Sequence, residues 1–327
     1  MKIDVVGGSG FIGNKFCEYL SKSSKDFRIL DIQVNPTFSD KTKICDVTNI
    51  LNLRENISGD IIVNLAAVHR DDVRPLTLYD EVNINGAENI CKIASEKYIH
   101  KMIFISSVAV YGFAEPNSDE TCEPNPFNDY GRTKLEAEKI YKKWLESDSR
   151  NSLTIIRPTV VFGEKNRGNV YNFLSLINRK FFPMIGNGKN FKSMAYVNNV
   201  ASFIEFSLDN KNKFNLYNYI DKPDLSTSEI VSHSREFLGM PVNPAIKIPY
   251  FIALIIGYFA DALSFILRTS FPISAIRVKK FCANSQFATS IEKSGFQAKY
   301  NLKHALKNTI EYEFLEKKDS DQIFNSE

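Results

Sequence analysis

A phenol and an ammonium stand four residues apart in Tyr130-Gly131-Arg132-Thr133-Lys134, a spacing that puts both on one face of a helix. A free tyrosine titrates at about 10 and is a poor base at neutral pH, but positive charge beside it favours the phenolate. A phenolate so placed can take the proton of a substrate hydroxyl while hydride leaves. Tyr-x-x-x-Lys alone is common on helix surfaces. It gains weight from Ile105-Ser106-Ser107-Val108-Ala109-Val110-Tyr111-Gly112, where a strand ends 23 residues before the tyrosine. That strand end supplies hydroxyls at the carboxyl edge of a sheet, where open α/β folds bind ligands.

Hydride needs an acceptor, and the start of the chain offers a place for one. The first strand runs into Gly7-Gly8-Ser9-Gly10-Phe11-Ile12-Gly13 and then a helix. Glycines there allow a tight turn and close approach of a pyrophosphate, whose charge rests on the free N–H groups of the helix start. Asp31 ends the next strand 18 residues after Gly13. A carboxylate at that point accepts hydrogen bonds from ribose hydroxyls and repels a 2′-phosphate, which favours NAD over NADP. Asp46-Val47 follows the third strand-like piece, where an acid would meet adenine or simply start a turn.

Positioning these groups requires a sheet, and the pattern supplies one. Short apolar runs (IDVVG, FRILDI, IIVNLAAV, KMIFISSV, SLTIIRP) alternate with helical stretches at Phe11 to Ser21, Ala87 to Lys97 and Lys134 to Leu145. Alternation of this kind implies right-handed crossovers and an α/β doubly wound parallel sheet. Beyond Pro158, Gly, Asn and Lys become frequent and the regularity fades. Residues 1–165 are therefore read as an NAD-binding Rossmann domain, to which 195–210 return, and 166–327 as mainly a smaller substrate lobe.

The 327 residues are 43% hydrophobic and carry 41 Lys+Arg against 38 Asp+Glu, an ordinary globular balance that excludes disorder and coiled coil. A net charge of +3 without a basic block or zinc spacing gives no footprint for nucleic acid, and no metal is implied. Five cysteines without a Cys-x-x-Cys pair fit reduced thiols that pack as small apolar residues. The amino terminus enters a strand directly, without the pattern of a secretory signal, so a cytoplasmic protein is expected.

Together the Gly-rich turn, Ser107, Tyr130 and Lys134 resemble the extended short-chain dehydrogenase/reductase family, in its nucleotide-sugar epimerase branch. Further matches are Asn64-Leu65-Ala66-Ala67, Asn83-Ile84-Asn85-Gly86, Arg157-Pro158-Thr159-Val160-Val161-Phe162-Gly163 and Lys192-Ser193-Met194-Ala195-Tyr196-Val197. The resemblance implies that Tyr130 is general base and acid, that Lys134 lowers its pKa and holds the nicotinamide ribose, and that Ser107 bonds the substrate hydroxyl. Ser106 is the lesser alternative, because the family's hydroxyl falls four residues before the Tyr of Val-Tyr-Gly. Gly7, Gly10, Phe11, Ile12, Gly13, Asp31, Asp46, Val47, Leu65, Ala66, Ala67, Tyr130, Lys134 and Pro158 are expected around NAD. Asn83 is read as structural support for the site or as a helix cap.

Dehydratases and decarboxylases of this family carry an acid just after the catalytic Ser or Thr, where this chain has Val108 and Ala109. The expectation is therefore 4-epimerisation, ahead of 4-keto-sugar reduction, which usually draws on the NADPH that Asp31 disfavours. Ala67 to Val73, Gly168 to Asn172, Lys192 to Val197 and Tyr217 to Leu225 resemble a bacterial subgroup associated with O-antigen genes. The resemblance implies an N-acetylglucosamine/N-acetylgalactosamine substrate linked to diphospho-undecaprenol or, alternatively, to UDP, and a homodimer formed through first-lobe helices. His69, Arg70 and Asp71 follow a strand at the cofactor edge and face substrate or form a surface charge cluster. Asn169, Lys192, Arg277 and Lys279 are candidates for a diphosphate or are merely solvated.

One segment is unexplained by this chemistry. Ile248 to Leu267 is 20 residues long with Asp261 as its single charge, apolar all round, and followed by Arg268, Arg277, Lys279 and Lys280. It is read as a helix lying in an anionic inner-membrane face, as a buried core or dimer helix, or least favourably as a span.

Overall fold

The computed structural model describes residues 1–70, 73–179, 182–243, 246–267, 269, 274–316 and 323–324. The chain opens with β1 (Lys2–Val6), α1 (Phe11–Lys22), β2 (Asp26–Asp31), β3 (Thr42–Ile44), α2 (Ile50–Asn56) and β4 (Ile61–Asn64). A three-residue turn, α3 (Thr77–Tyr79), runs through a π-helical stretch (Asp80–Asn85) into α4 (Gly86–Glu96). Then come β5 (Lys101–Ile105), a 3₁₀ turn (Val108–Tyr111), α5 (Asp129–Ser147), β6 (Ser152–Pro158) and β7 (Val160–Phe162). The remainder comprises α6 (Asn169–Asn178), β8 (Met184–Ile185), β9 (Phe191–Lys192), β10 (Met194–Tyr196), α7 (Val197–Ser207), β11 (Phe214–Tyr219), β12 (Leu225–Ser226), α8 (Thr227–Phe237), β13 (Lys247–Ile248), α9 (Tyr250–Leu267), α10 (Ala275–Cys282) and α11 (Leu302–Ile310).

Seven parallel strands form one sheet in the order β11-β6-β5-β4-β1-β2-β3. Ile3, Val5, Ile61, Val63, Ile103 and Ile156 face one core, shared with Phe16 and Leu20 of α1 and Phe203 and Ile204 of α7. Val6, Leu30, Ile62, Met102 and Ile155 face the other, shared with Ile90 of α4 and Tyr141 and Trp144 of α5. Burial on both sides is why these strands read as apolar runs without alternation. From β1 the chain winds outward to β3, then returns to β4 on the other side of β1. The order thus reverses between β1 and β4, and this is the crevice where such sheets bind ligands.

A third core joins Phe162, Leu174, Met184, Tyr196, Ile230 and Leu306, held by two-stranded pieces pairing β7 with β10, β8 with β13, and β9 with β12. The KSMAYV run is two short strands, broken at Ser193, whose hydroxyl donates to Asp224 Oδ1 at 2.7 Å. The chain then returns to the first sheet: α7 packs on α1, and β11 adds the edge strand beside β6.

Helix α9 is not a buried core helix within this chain. It rests on α10 by a narrow stripe at Ala253 and Gly257, where a Cβ on Gly257 would come within 2.8 Å of Ala275 backbone. Among the described residues no helix is long and apolar enough to cross a membrane.

Candidate active site

At the end of β1 the backbone has no room for side chains. Gly7 has φ +78°, and a Cβ there would lie 2.5 Å from Ala66 N; a Cβ on Gly13 would strike Gly7 O. Gly10, extended at φ −74° and ψ 175°, precedes α1 without a side-chain cap, and the first turn carries no acid. The opening amides of Phe11, Ile12 and Gly13 therefore offer an anion a positive helix end. Asp31 is tied to this loop: Oδ2 accepts from Ser9 N at 2.9 Å and Oδ1 from Gln33 N at 3.0 Å. Burial pushes the Asp31 carboxyl up, against the pull of those hydrogen bonds.

Across the crevice, Leu65 N donates to Val6 O at 2.8 Å and Ala66 N to Asn64 Oδ1 at 3.0 Å, so Leu65, Ala66 and Ala67 leave β4 along the cradle's rim. Asp46 is exposed, and its Oδ1 accepts from both the backbone and the hydroxyl of Thr48 at 2.8 Å, the bonding of a turn-starting Asp. Val47 is buried against Gly86. Pro158 closes β6 opposite Tyr219. A cradle this tight, an uncapped helix start and a carboxylate at the second strand end fit a dinucleotide.

The two adjacent serines point in different directions. Ser107 Oγ accepts from Ala109 N at 3.1 Å, and its hydroxyl faces the Tyr130 phenol and favours the phenolate. Ser106 Oγ donates inward to Glu138 Oε1 at 2.6 Å. Helix α5 starts ahead of Tyr130 because Asn128 Oδ1 accepts from Gly131 N at 2.9 Å. Burial pushes the Tyr130 phenol up to about 12, opposed by the Ser107 hydroxyl. Lys134 is only 2% exposed, and its Nζ donates to Ile105 O at 2.8 Å, 4.9 Å from the Phe104 ring centroid. Burial drives the Lys134 ammonium down to about 7, with the Glu138 charge pulling the other way. In this arrangement the pull on the phenol comes from Ser107, while Lys134 is held on the strand carbonyl.

Asn83 does not cap a helix. It sits inside the π-helical stretch, where Oδ1 accepts from Val68 N at 2.8 Å and Nδ2 donates to Val68 O and to Thr133 Oγ1, each at 2.9 Å. One buried amide thus pins the loop after β4 to the helix that carries Tyr130. His69, on that loop, is exposed on its outer side but desolvated enough that its pKa falls, helped by the charges of Lys134 and Arg70. The Tyr79 hydroxyl donates to Arg70 O. Asp71 lies outside the described residues, as does Arg268.

The other basic and polar candidates stand on the second lobe. Asn169 is exposed at the first turn of α6. Lys192 Nζ donates to Ala283 O at 2.7 Å, and burial lowers its pKa. Arg277 is exposed on α10, and Lys279 Nζ lies 5.4 Å from the Tyr258 ring centroid.

Beneath Tyr130 and Lys134 lies a charged network that the sequence did not single out. Glu138, fully buried, receives Arg157 Nε at 2.8 Å and Nη2 at 2.5 Å, besides Ser106. Arg157 Nη1 donates to Tyr111 OH at 2.6 Å, which donates to Asn218 Oδ1 at 2.9 Å. The signal was present: Tyr130, Lys134 and Glu138 continue one helical line of polar groups on the face that meets the sheet. Asn218 carried none, because only β11's return beside β6 brings it there.

The family model described as the NAD dependent epimerase/dehydratase family matches residues 3–219. The chain is 43% identical over 329 residues to the N-acetyl-alpha-D-glucosaminyl-diphospho-ditrans,octacis-undecaprenol 4-epimerase of Escherichia coli O157:H7, covering 99% of this chain and 98% of that protein. It is 29% identical to the UDP-glucose 4-epimerase of Vibrio cholerae over 72% of this chain and 76% of the other. The fold is shared with the UDP-glucose 4-epimerase of Thermus thermophilus in complex with NAD, at a TM-score of 0.73 and 18% identity over 95% of this chain and 98% of that one. By its sequence over residues 3–219 and by a glycine cradle set against a Ser-Tyr-Lys group, the chain belongs to the NAD dependent epimerase/dehydratase family.

Proposed function

We propose that this chain is an NAD-dependent 4-epimerase that interconverts N-acetylglucosaminyl- and N-acetylgalactosaminyl-diphospho-undecaprenol for O-antigen or other surface polysaccharide. The observation that carries the reading is the full-length 43% identity to an enzyme of that name. Around it stands the Ser107–Tyr130 pair at the sheet's carboxyl edge. NAD, held by Gly7, Gly10 to Gly13, Asp31 and Leu65 to Ala67, would accept hydride from carbon 4 and return it to the opposite face. Tyr130 takes the proton of the 4-hydroxyl through its phenolic oxygen and gives it back to the same oxygen after the sugar has turned. Ser107 holds that oxygen in line with the phenol. Burial keeps the phenol protonated with only Ser107 opposing it, and the positive nicotinamide ring, with Lys134 on its ribose, would supply the further pull that makes it a base. Val108 and Ala109, in the 3₁₀ turn after Ser107, bring no acid for eliminating water or carboxylate. His69, Arg70, Asn169, Lys192 and Arg277 are assigned to the sugar and its diphosphate.

In this scheme residues 1–165, with the returning α7 and β11, hold cofactor, and 166–327 mainly hold substrate. A lipid-anchored substrate requires the protein to work peripherally on the cytoplasmic face of the inner membrane. A homodimer is placed on the α4–α5 face, where Cys91, Ile140 and Trp144 line a shallow groove and the buried indole N–H of Trp144 has no partner among the described residues. The second reading, a soluble UDP-N-acetylglucosamine 4-epimerase, is favoured by the Vibrio cholerae relative, whose named substrate is a nucleotide sugar. Purified protein with NAD is offered each N-acetylglucosamine donor in turn, and the released sugar is scored for N-acetylgalactosamine. Conversion of the lipid-linked donor supports the first reading; conversion of UDP-N-acetylglucosamine alone replaces it. Tyr130→Phe should lose roughly 10²–10⁴-fold in turnover, the usual worth of a general acid–base group, and still retain NAD.

A further inference from the structure

Helix α9 carries an outward face that none of the described residues covers. Phe251, Ile255 and Phe259 are 63, 64 and 70% exposed and recur at four-residue spacing along one line. Ile252, Ile256 and Tyr258 flank that line and are exposed as well, as is Ile276 on α10. Contiguous apolar surface of this size on a folded protein marks a docking site. Folding does not require it, because the helix is already anchored through Gly257 and through Asp261 Oδ2, which accepts from Ala275 N at 3.0 Å.

Charge says what docks there. Residues 246–282 hold five basic side chains and one acid, Asp261, whereas the rest of the chain has 36 Lys+Arg against 37 Asp+Glu. The whole positive surplus of the protein is therefore concentrated on this segment, and its one acid, itself exposed, accepts from the α10 backbone. Lys279 stands over the Tyr258 ring at the edge of the apolar line, and Lys247 is exposed just ahead of the helix. An aromatic and aliphatic face rimmed by cations suits an anionic lipid surface. An identical copy of the chain would bring the same cations against one another.

We propose that α9 lies flat on the bilayer, with Phe251, Ile255 and Phe259 among the acyl chains and Lys247 and Lys279 at the phosphates. The surface rests on observations separate from the lipid-linked reading of the substrate, and gives that reading its means of reaching one.

The test uses the full chain with vesicles of phosphatidylethanolamine and phosphatidylglycerol, and with phosphatidylcholine vesicles as the neutral control. The wild type should co-sediment with the anionic vesicles and weaken about tenfold or more in high salt. Phe251→Ser/Ile255→Ser/Phe259→Ser should bind about 100-fold or more weakly while its melting curve and bound NAD stay as in the wild type. That variant should convert detergent-dispersed lipid-linked substrate at the wild-type rate and fail on substrate held in vesicles. Equal sedimentation of wild type and variant overturns the proposal. So does a wild type that ignores vesicles and forms an oligomer which the triple variant dissolves. Vesicle binding without epimerisation of any donor would uphold the surface and reject the enzymatic reading instead.

Discussion

The floor beneath Tyr130 and the outer face of α9 break the same rule in opposite ways. In the floor, Arg157 and Glu138 are taken from water and make every bond to groups of the same chain, to each other, to Ser106 and to Tyr111. On α9, large apolar groups are left in water with no described group of the chain over them. A buried charge is tolerable only where the fold itself supplies the partner. An uncovered apolar face is tolerable only because it costs the folded state little, so its completion is left to something outside the chain. The first region is finished when the protein folds; the second is not.

The contrast can be broken most forcefully at Arg157. Arg157→Met leaves Glu138 charged and unpaired in the core and should cost about 3–5 kcal/mol in urea unfolding. Pairing it with Glu138→Met should restore most of that loss, since removing both charges leaves nothing unsatisfied. A double variant as unstable as the single one would mean that packing, not charge, sets the cost.

Lys134 offers a titration of the same idea. Its folded pKa, about 7, lies below the ordinary lysine value, so between about pH 7 and pH 10.5 the unfolded chain holds more protons at this site. Stability contributed at Lys134 therefore rises with pH across that window. Measured against Lys134→Met, which removes the site and leaves all other groups, the wild type should gain roughly 3 kcal/mol from pH 7 to pH 9.5. A flat difference would place the ammonium in a solvated setting.

Asn83→Ala, which strands Val68 N and O and frees the loop from Thr133, should cost about 1–3 kcal/mol. Its more telling readout is a rise in KM for the sugar donor, because the loop it releases carries His69 and Arg70. At the small end, each of Phe251→Ser, Ile255→Ser and Phe259→Ser should move unfolding stability by no more than about 0.5 kcal/mol. A loss of about 2 kcal/mol or more at any of them would show that the face is packed in the folded protein and would erase the comparison.

Much of this was legible beforehand, for reasons tied to local sequence. The Gly7–Gly13 turn and Asp31 could be placed because a strand, a turn and a helix start are contiguous, and the glycines mark where side chains will not fit. Ser107 was separable from Ser106 only by resemblance; the structure separates them physically, because strand alternation sends one toward Tyr130 and the other toward Glu138. Asn83 could not be told apart as site support or helix cap because its partners, Val68 and Thr133, come from remote segments. For α9 the composition was plain, but the direction of its faces depended on Gly257 meeting Ala275, a contact made across a turn that periodicity does not encode.

The position of β11 has a bearing on how the protein is made. Until residues 197–219 have left the ribosome, β6 ends the sheet with an open backbone edge, and Phe16 and Leu20 of α1 lack the cover of Phe203 and Ile204. A nascent chain that has reached only residue 165 is therefore a sticky intermediate, with an unpaired strand and a bare helix. Translation at roughly 5–20 residues per second keeps it so for several seconds, which makes this stretch of synthesis the stage at which trigger-type chaperones or a slowed ribosome would most affect yield.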